Sequence, residues 1–173
     1  MFCCVALTSF VCSSCDLRSE SHATPELAVG LFINKGDTLK VKPNKKGEWE
    51  LDSIRVGDTL SVTLQASALS NNLTRMQLKS GNEHTKILMP PIDSIYIFPE
   101  RTQKSSMLKE ASDYEKADFL FNGRLSYLVM RFRYVAVSAS ADATLQASVE
   151  SDAVLDFGRN TYSLKLKTPV KGK

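Results

Sequence analysis

The most reactive side chains in the sequence are four cysteines, Cys3, Cys4, Cys12 and Cys15, and all of them fall within the first fifteen residues. A disulfide framework would spread its cysteines through a domain, and a zinc site would set them beside histidines. The only histidines are His22 and His84, so neither arrangement is expected, and no metal or other cofactor is predicted. The sequence has no Gly-x-Ser-x-Gly elbow, no His-Glu-x-x-His, no glycine-rich phosphate loop and no Asp-x-Asn-x-Asp calcium loop. His84, beside Glu83 and after Ser80-Gly81-Asn82, reads as a solvated residue at a hairpin tip rather than as a catalytic base. Glu110, Asp113, Glu115 and Asp118 supply carboxylates of the kind glycoside hydrolysis uses in pairs. Lys109 and Lys116 are interleaved with them, however, and an exposed helix of mixed charge accounts for that pattern without chemistry.

Binding chemistry has better candidates. Arg131 and Arg133 stand two residues apart in an alternating segment and so share one face of a strand, where they could clamp an acidic group or pair with carboxylates across a sheet. Trp49, the only tryptophan, lies between Glu48 and Glu50. It is expected to pack in a core or at an edge, with a sugar-stacking platform as the sharper reading. Lysines gather at Lys35, Lys40, Lys42, Lys45 and Lys46, and again at Lys165, Lys167, Lys171 and Lys173. They read as solvated strand faces and a tail, or as a surface attractive to anionic headgroups or acidic glycans. A pI of about 8.6 and little aromatic interleaving argue against nucleic acid as a partner. Asn72-Leu73-Thr74 matches a glycosylation sequon and is read as chance.

The segment around Cys15 has a recognisable order. An uncharged apolar run from Phe2 to Val11 precedes the small residues Ser13 and Ser14, then Cys15, then the polar Asp16-Leu17-Arg18-Ser19-Glu20-Ser21. This resembles a bacterial lipobox, with Cys15 as the lipidated residue, residues 1–14 as a signal peptide and residues 15–26 as a lipidated tether. Small side chains ahead of the cysteine suit signal peptidase, and two or more acyl chains would hold the mature chain on a membrane where one would not. Cys12 stands where leucine is usual, and no basic residues precede the apolar run. The second departure is compatible with a start upstream of Met1. A plain signal peptide cut elsewhere is the competing reading.

The remaining elements must position these groups. With 173 residues, 19.2 kDa, a net charge of +3 and a mean hydropathy of −0.16, the chain is long enough for one well-buried core and too apolar for general disorder. It lacks an apolar run of about 18 residues that could span a bilayer as a helix. Beyond the tether the period is two. Leu60, Val62, Leu64 and Ala66 alternate with polar residues, as do Ala143, Leu145, Ala147 and Val149, and Tyr162, Leu164 and Leu166. Leu128, Met130, Phe132 and Tyr134 share the inner face of a long central strand, opposite Tyr127, Val129, Arg131 and Arg133. Turn residues recur about every ten positions, which points to an antiparallel sandwich of about 7–9 strands over residues 27–170. Only Ser105 to Lys116 reads as a short helix in a loop, with residues 171–173 as a basic tail.

The stretch Ile54-Arg55-Val56-Gly57-Asp58-Thr59-Leu60-Ser61-Val62 resembles the first strands of bacterial immunoglobulin-like modules. Arg131-Phe132-Arg133-Tyr134-Val135, Thr144 to Glu150 and the closing Thr168-Pro169-Val170 extend the likeness. Together these blocks look like the uncharacterised cell-envelope lipoproteins of Bacteroidota that carry one immunoglobulin-like domain. The resemblance implies an outer-membrane lipid anchor on an undetermined face and no enzymatic activity. It also implies a binding or accessory role toward an envelope protein or surface glycan, whose site candidates are Arg131, Arg133 and Trp49. A hydrolase of envelope polysaccharide is the alternative.

Overall fold

The structure, a computed structural model, describes residues 24–89, 95–98, 108–122, 125–154 and 160–173, with the backbone alone for 29–31 and 95–98. Cys15 and the signal-like segment lie outside the described residues, as do most of the tether and residues 99–107. The described residues form fourteen strands: β1 (Glu26–Asn34), β2 (Asp37–Leu39), β3 (Val41–Pro43), β4 (Trp49–Leu51), β5 (Ile54–Arg55), β6 (Thr59–Ser67) and β7 (Leu73–Ser80), followed by β8 (Thr85–Leu88), β9 (Ile95–Phe98), β10 (Asp118–Leu120), β11 (Tyr127–Ala136), β12 (Thr144–Ser151), β13 (Thr161–Lys167) and β14 (Val170–Lys171). One six-stranded sheet runs β2-β1-β6-β11-β8, with β9 also paired to β11. The other runs β10-β7-β12-β13-β4-β3, and β14 and β5 form a two-stranded ribbon.

Side-chain alternation explains why the two large sheets enclose one core. Along β6, Leu60, Val62, Leu64 and Ala66 are buried while Thr59, Ser61 and Gln65 are exposed. The long central strand β11 buries Leu128, Met130, Phe132, Tyr134 and Ala136. From the opposite sheet, Met76, Leu78, Leu145, Val149 and Leu166 join the same apolar cluster. Burial of each such large side chain contributes about 1.5–3 kcal/mol. Tyr134 brings a hydroxyl into this core, where it donates to Thr85 Oγ1 at 2.9 Å and lies 2.7 Å from Thr168 Oγ1. Burial pushes its proton affinity up. Ser80 Oγ, on β7, lies 2.6 Å from Thr85 Oγ1, so this buried polar chain links one sheet to the other.

The chain crosses between sheets at defined points. Lys40 separates β2 from β3, which belong to different sheets, and is held by paired backbone and side-chain bonds to Asp52. A second corner forms at Gly57, whose φ of +91° suits glycine. Asp58 completes that corner: its Oδ2 accepts from Arg55 N and Asn34 Nδ2, each at 2.9 Å, and its Oδ1 lies 3.1 Å from Lys35 Nζ.

Two expectations are corrected. Where a short helix was expected over Ser105 to Lys116, the described part, from Leu108 onward, forms turns and bridges that fold back on β10. Asp113 and Asp118 exchange backbone bonds of 2.8 and 2.9 Å, and Ser112 Oγ bonds both backbone groups of Leu120. Serine and aspartate side chains here offer the backbone a partner that competes with helix, and Phe119 and Phe121 gain burial by docking along β7. Nor is the pairing wholly antiparallel: β13 runs parallel to β4, and β14 parallel to β5. The strand total exceeds 7–9 because short ladder segments stand apart at the sheet crossings.

Candidate ligand-binding face

Strands β7, β12 and β13 lie side by side in the second sheet, and their outward positions fall into register. Gln77 faces Ser148 and Ser148 faces Ser163; one pair along, Lys79 faces Gln146 and Gln146 faces Lys165. These six residues, with Ala147 and Leu164, line an open cavity of about 270 Å³. The inward neighbours Leu78, Leu145, Val149 and Leu166 are locked into the core, so the polar set stands on a rigid platform. Among the described residues, Gln146, Ser148 and Ser163 make no side-chain hydrogen bond, and their donors and acceptors face the cavity.

Charge is distributed unevenly over this face. At one end Arg75 makes a bidentate pair with Asp118, Nε to Oδ1 at 2.8 Å and Nη2 to Oδ2 at 2.6 Å, and reaches Glu150 at 3.7 Å. Gln77 Nε2 also donates to Asp118 Oδ2, at 2.7 Å. The Arg75 hydrogen bonds, with that from Gln77, hold the Asp118 carboxyl below its usual range, and Asp118 in turn raises Arg75. At the other end Lys167 lies 3.5 Å from Asp142 and 3.7 Å from Glu48. Between these neutralised groups sit Lys79 and Lys165, both exposed. Among the described residues neither forms an ion pair, and no carboxylate lines the cavity.

The residues singled out from sequence are placed apart. Arg131 and Arg133 are exposed on the outer face of the first sheet, opposite Thr63 and Ser61 of β6. Arg133 also faces Leu88 of β8, one pair from Lys86. They share their face as expected, on the far side of the core from the cavity. Trp49 is 51% exposed and pairs with Pro43 at the edge of the second sheet, so it packs at an edge and not in the core. Two of the four acids of the 110–118 group are taken up in ion pairs: Asp113 with Lys116 at 2.8 Å, and Asp118 with Arg75. Hydrogen bonds from Lys116 pull Asp113 below the carboxylate range as well. His84 lies in the turn before β8, half-buried, with Nδ1 2.6 Å from Ser138 Oγ. Asn72 of the sequon is clamped by Asp152, which accepts from its backbone N and its Nδ2, each at 2.7 Å.

Sequence reasoning missed the cavity. It marked Lys165 as part of a basic tail cluster and left Gln77, Lys79, Gln146, Ser148 and Ser163 as ordinary outward positions. Their polarity was the available signal, but their adjacency depends on strand order. No protein-family model matches the chain, and no curated protein matches it. Among solved structures, it is similar to a family 123 glycoside hydrolase from Clostridium perfringens described in a study of glycolipid glycan hydrolysis. The TM-score is 0.44 at 11% identity, covering 87% of this chain. The chain spans 28% of the length of that protein.

Proposed function

We propose that this chain is a lipid-anchored, non-enzymatic protein of the cell envelope, whose immunoglobulin-like β-sandwich is a binding or accessory module for an envelope protein or surface glycan. One observation carries the binding role: a rigid sheet face presents a cavity lined by polar side chains that make no ion pairs among the described residues. Two sheets around a shared core, with the chain passing repeatedly between them, support the immunoglobulin-like description. Support for the anchor is the order of residues around Cys15. Four of the described acids are shifted in the direction opposite to that of a general acid. A general acid needs a raised proton affinity, whereas Glu48, Asp58, Asp113 and Asp118 are all moved down by hydrogen bonds and nearby cations.

The test combines metabolic labelling with crosslinking on intact bacteria. Labelled palmitate should enter the wild-type protein and not Cys15→Ala, and an envelope partner should crosslink to the wild type. Equal labelling of Cys15→Ala removes the anchor. If the partner involves Arg131 and Arg133, their joint replacement by alanine abolishes its capture with the thermal midpoint nearly unchanged. Undiminished capture rejects that pair as the contact.

A further inference from the structure

The outer face of the second sheet carries Arg75, Lys79, Lys165, Lys167 and, facing Glu50 at the edge strand, Lys42, and these cations differ in their partners. Arg75 and Lys167, at the two ends, are compensated by Asp118, Glu150, Asp142 and Glu48. Lys79 and Lys165 line the cavity and have no ion-pair partner among the described residues. They sit two strands apart, with Gln146 between them, which sets their backbones about 10 Å from each other. Beside them runs the uncharged row Gln77, Ser148 and Ser163, rich in groups that exchange hydrogen bonds with hydroxyls. Gln77 is oriented by its bond to Asp118, so part of this row is preset.

We propose that this cavity binds an anionic polysaccharide, with Lys79 and Lys165 receiving two acidic groups of the polymer and the Gln77–Ser148–Ser163 row receiving its hydroxyls. The inference rests on the binding-module reading and adds the chemistry of the ligand to it. Charge complementarity selects the occupant. The cavity lining itself holds two lysines and no acid, Asp118 and Glu48 feeling the charges of Lys79 and Lys165 from outside it, and its polar groups match a hydroxyl-rich chain. Its lining has no aromatic ring, and Ala147 and Leu164 are its apolar members beside six polar or charged side chains, which disfavours an apolar peptide. An anionic lipid headgroup shares the acidic group but brings fewer hydroxyls for the second row.

The experiment uses the purified full chain and three probes: polygalacturonate, uncharged dextran, and vesicles containing phosphatidylglycerol. Polygalacturonate should bind, weaken with added salt and lose about tenfold in affinity in the Lys79→Ala/Lys165→Ala variant, while dextran does not bind. Gln146→Ala should weaken binding with the salt dependence retained, and Lys86→Ala, at an exposed position of the first sheet, should leave it unchanged. Because all these positions lie on an outer sheet face, thermal midpoints should stay near that of the wild type. Equal polygalacturonate affinity in the double lysine variant overturns the proposal, as does binding to the vesicles alone. The two readings fail separately: absence of polygalacturonate binding with an envelope partner still crosslinked overturns only the polysaccharide, whereas loss of both removes the binding module too.

Discussion

Asp58 shows how a single side chain can hold a corner of this fold. Its carboxylate is 8% exposed and accepts from a backbone amide, an asparagine amide and a lysine. The hydrogen bond from Arg55 N, and then the contacts with Lys35 and Asn34, pull its proton affinity below the ordinary value against the opposing effect of burial. A depressed carboxyl contributes stability that is fully present above its unfolded pKa, near 4, and is lost as pH falls through the folded value. Asp58→Asn replaces an acceptor with a donor facing other donors and should cost about 1–3 kcal/mol at pH 7. Denaturant titrations at pH 7 and pH 3 check this: the gap between wild type and variant should shrink at the lower pH. The Asp58 turn was legible in the sequence as Val56-Gly57-Asp58, because glycine and aspartate carry their turn chemistry locally. Its lysine and asparagine partners belong to the neighbouring β1–β2 hairpin and came into view only with the fold.

Among the elements, the β7–β8 connection runs close against the start of β12. Gly81 N donates to Thr144 O at 2.8 Å at the start of β12, and a Cβ on Gly81 would run into Thr144 Oγ1 and lie 3.2 Å from Thr144 Cβ. Gly81→Ala should therefore destabilise the protein by about 1–3 kcal/mol, with part of that loss recovered in a Thr144→Ala background. A double-mutant cycle on thermal midpoints measures the coupling, and an uncoupled pair would contradict the close approach. Strands were largely legible at this scale: β6, β11, β12 and β13 lie within a residue or two of where alternation puts them. The segment ending in β10 was not. Met107, Leu108, Lys109, Glu110 and Ala111 are good helix formers, but Ser112 and Asp113 bond across a turn, and Phe119 is buried against β7. Tertiary docking overrides a weak local preference.

For the molecule as a whole, the shared core makes the two sheets interdependent. Leu64 is 1% exposed at the centre of β6, and Leu64→Ala should cost about 2–5 kcal/mol. Far-ultraviolet circular dichroism and fluorescence should report one coincident transition in both proteins; separate transitions would mean that the sheets unfold independently. The sequence by itself determined which residues of each strand face inward and where most turns fall. Those properties follow from a two-residue period and from the conformational preferences of glycine, proline, asparagine and aspartate. It also placed Arg131 and Arg133 on one face, since they are two residues apart on one strand. Only the tertiary structure decided that β7, β12 and β13 are neighbours, that β4 runs parallel to β13, and that Lys79 and Lys165 flank one cavity while Arg75 and Lys167 are neutralised. Strand order is set by long-range packing of two sheets on a common core, and a side-chain pattern within one strand carries no record of which strand lies beside it.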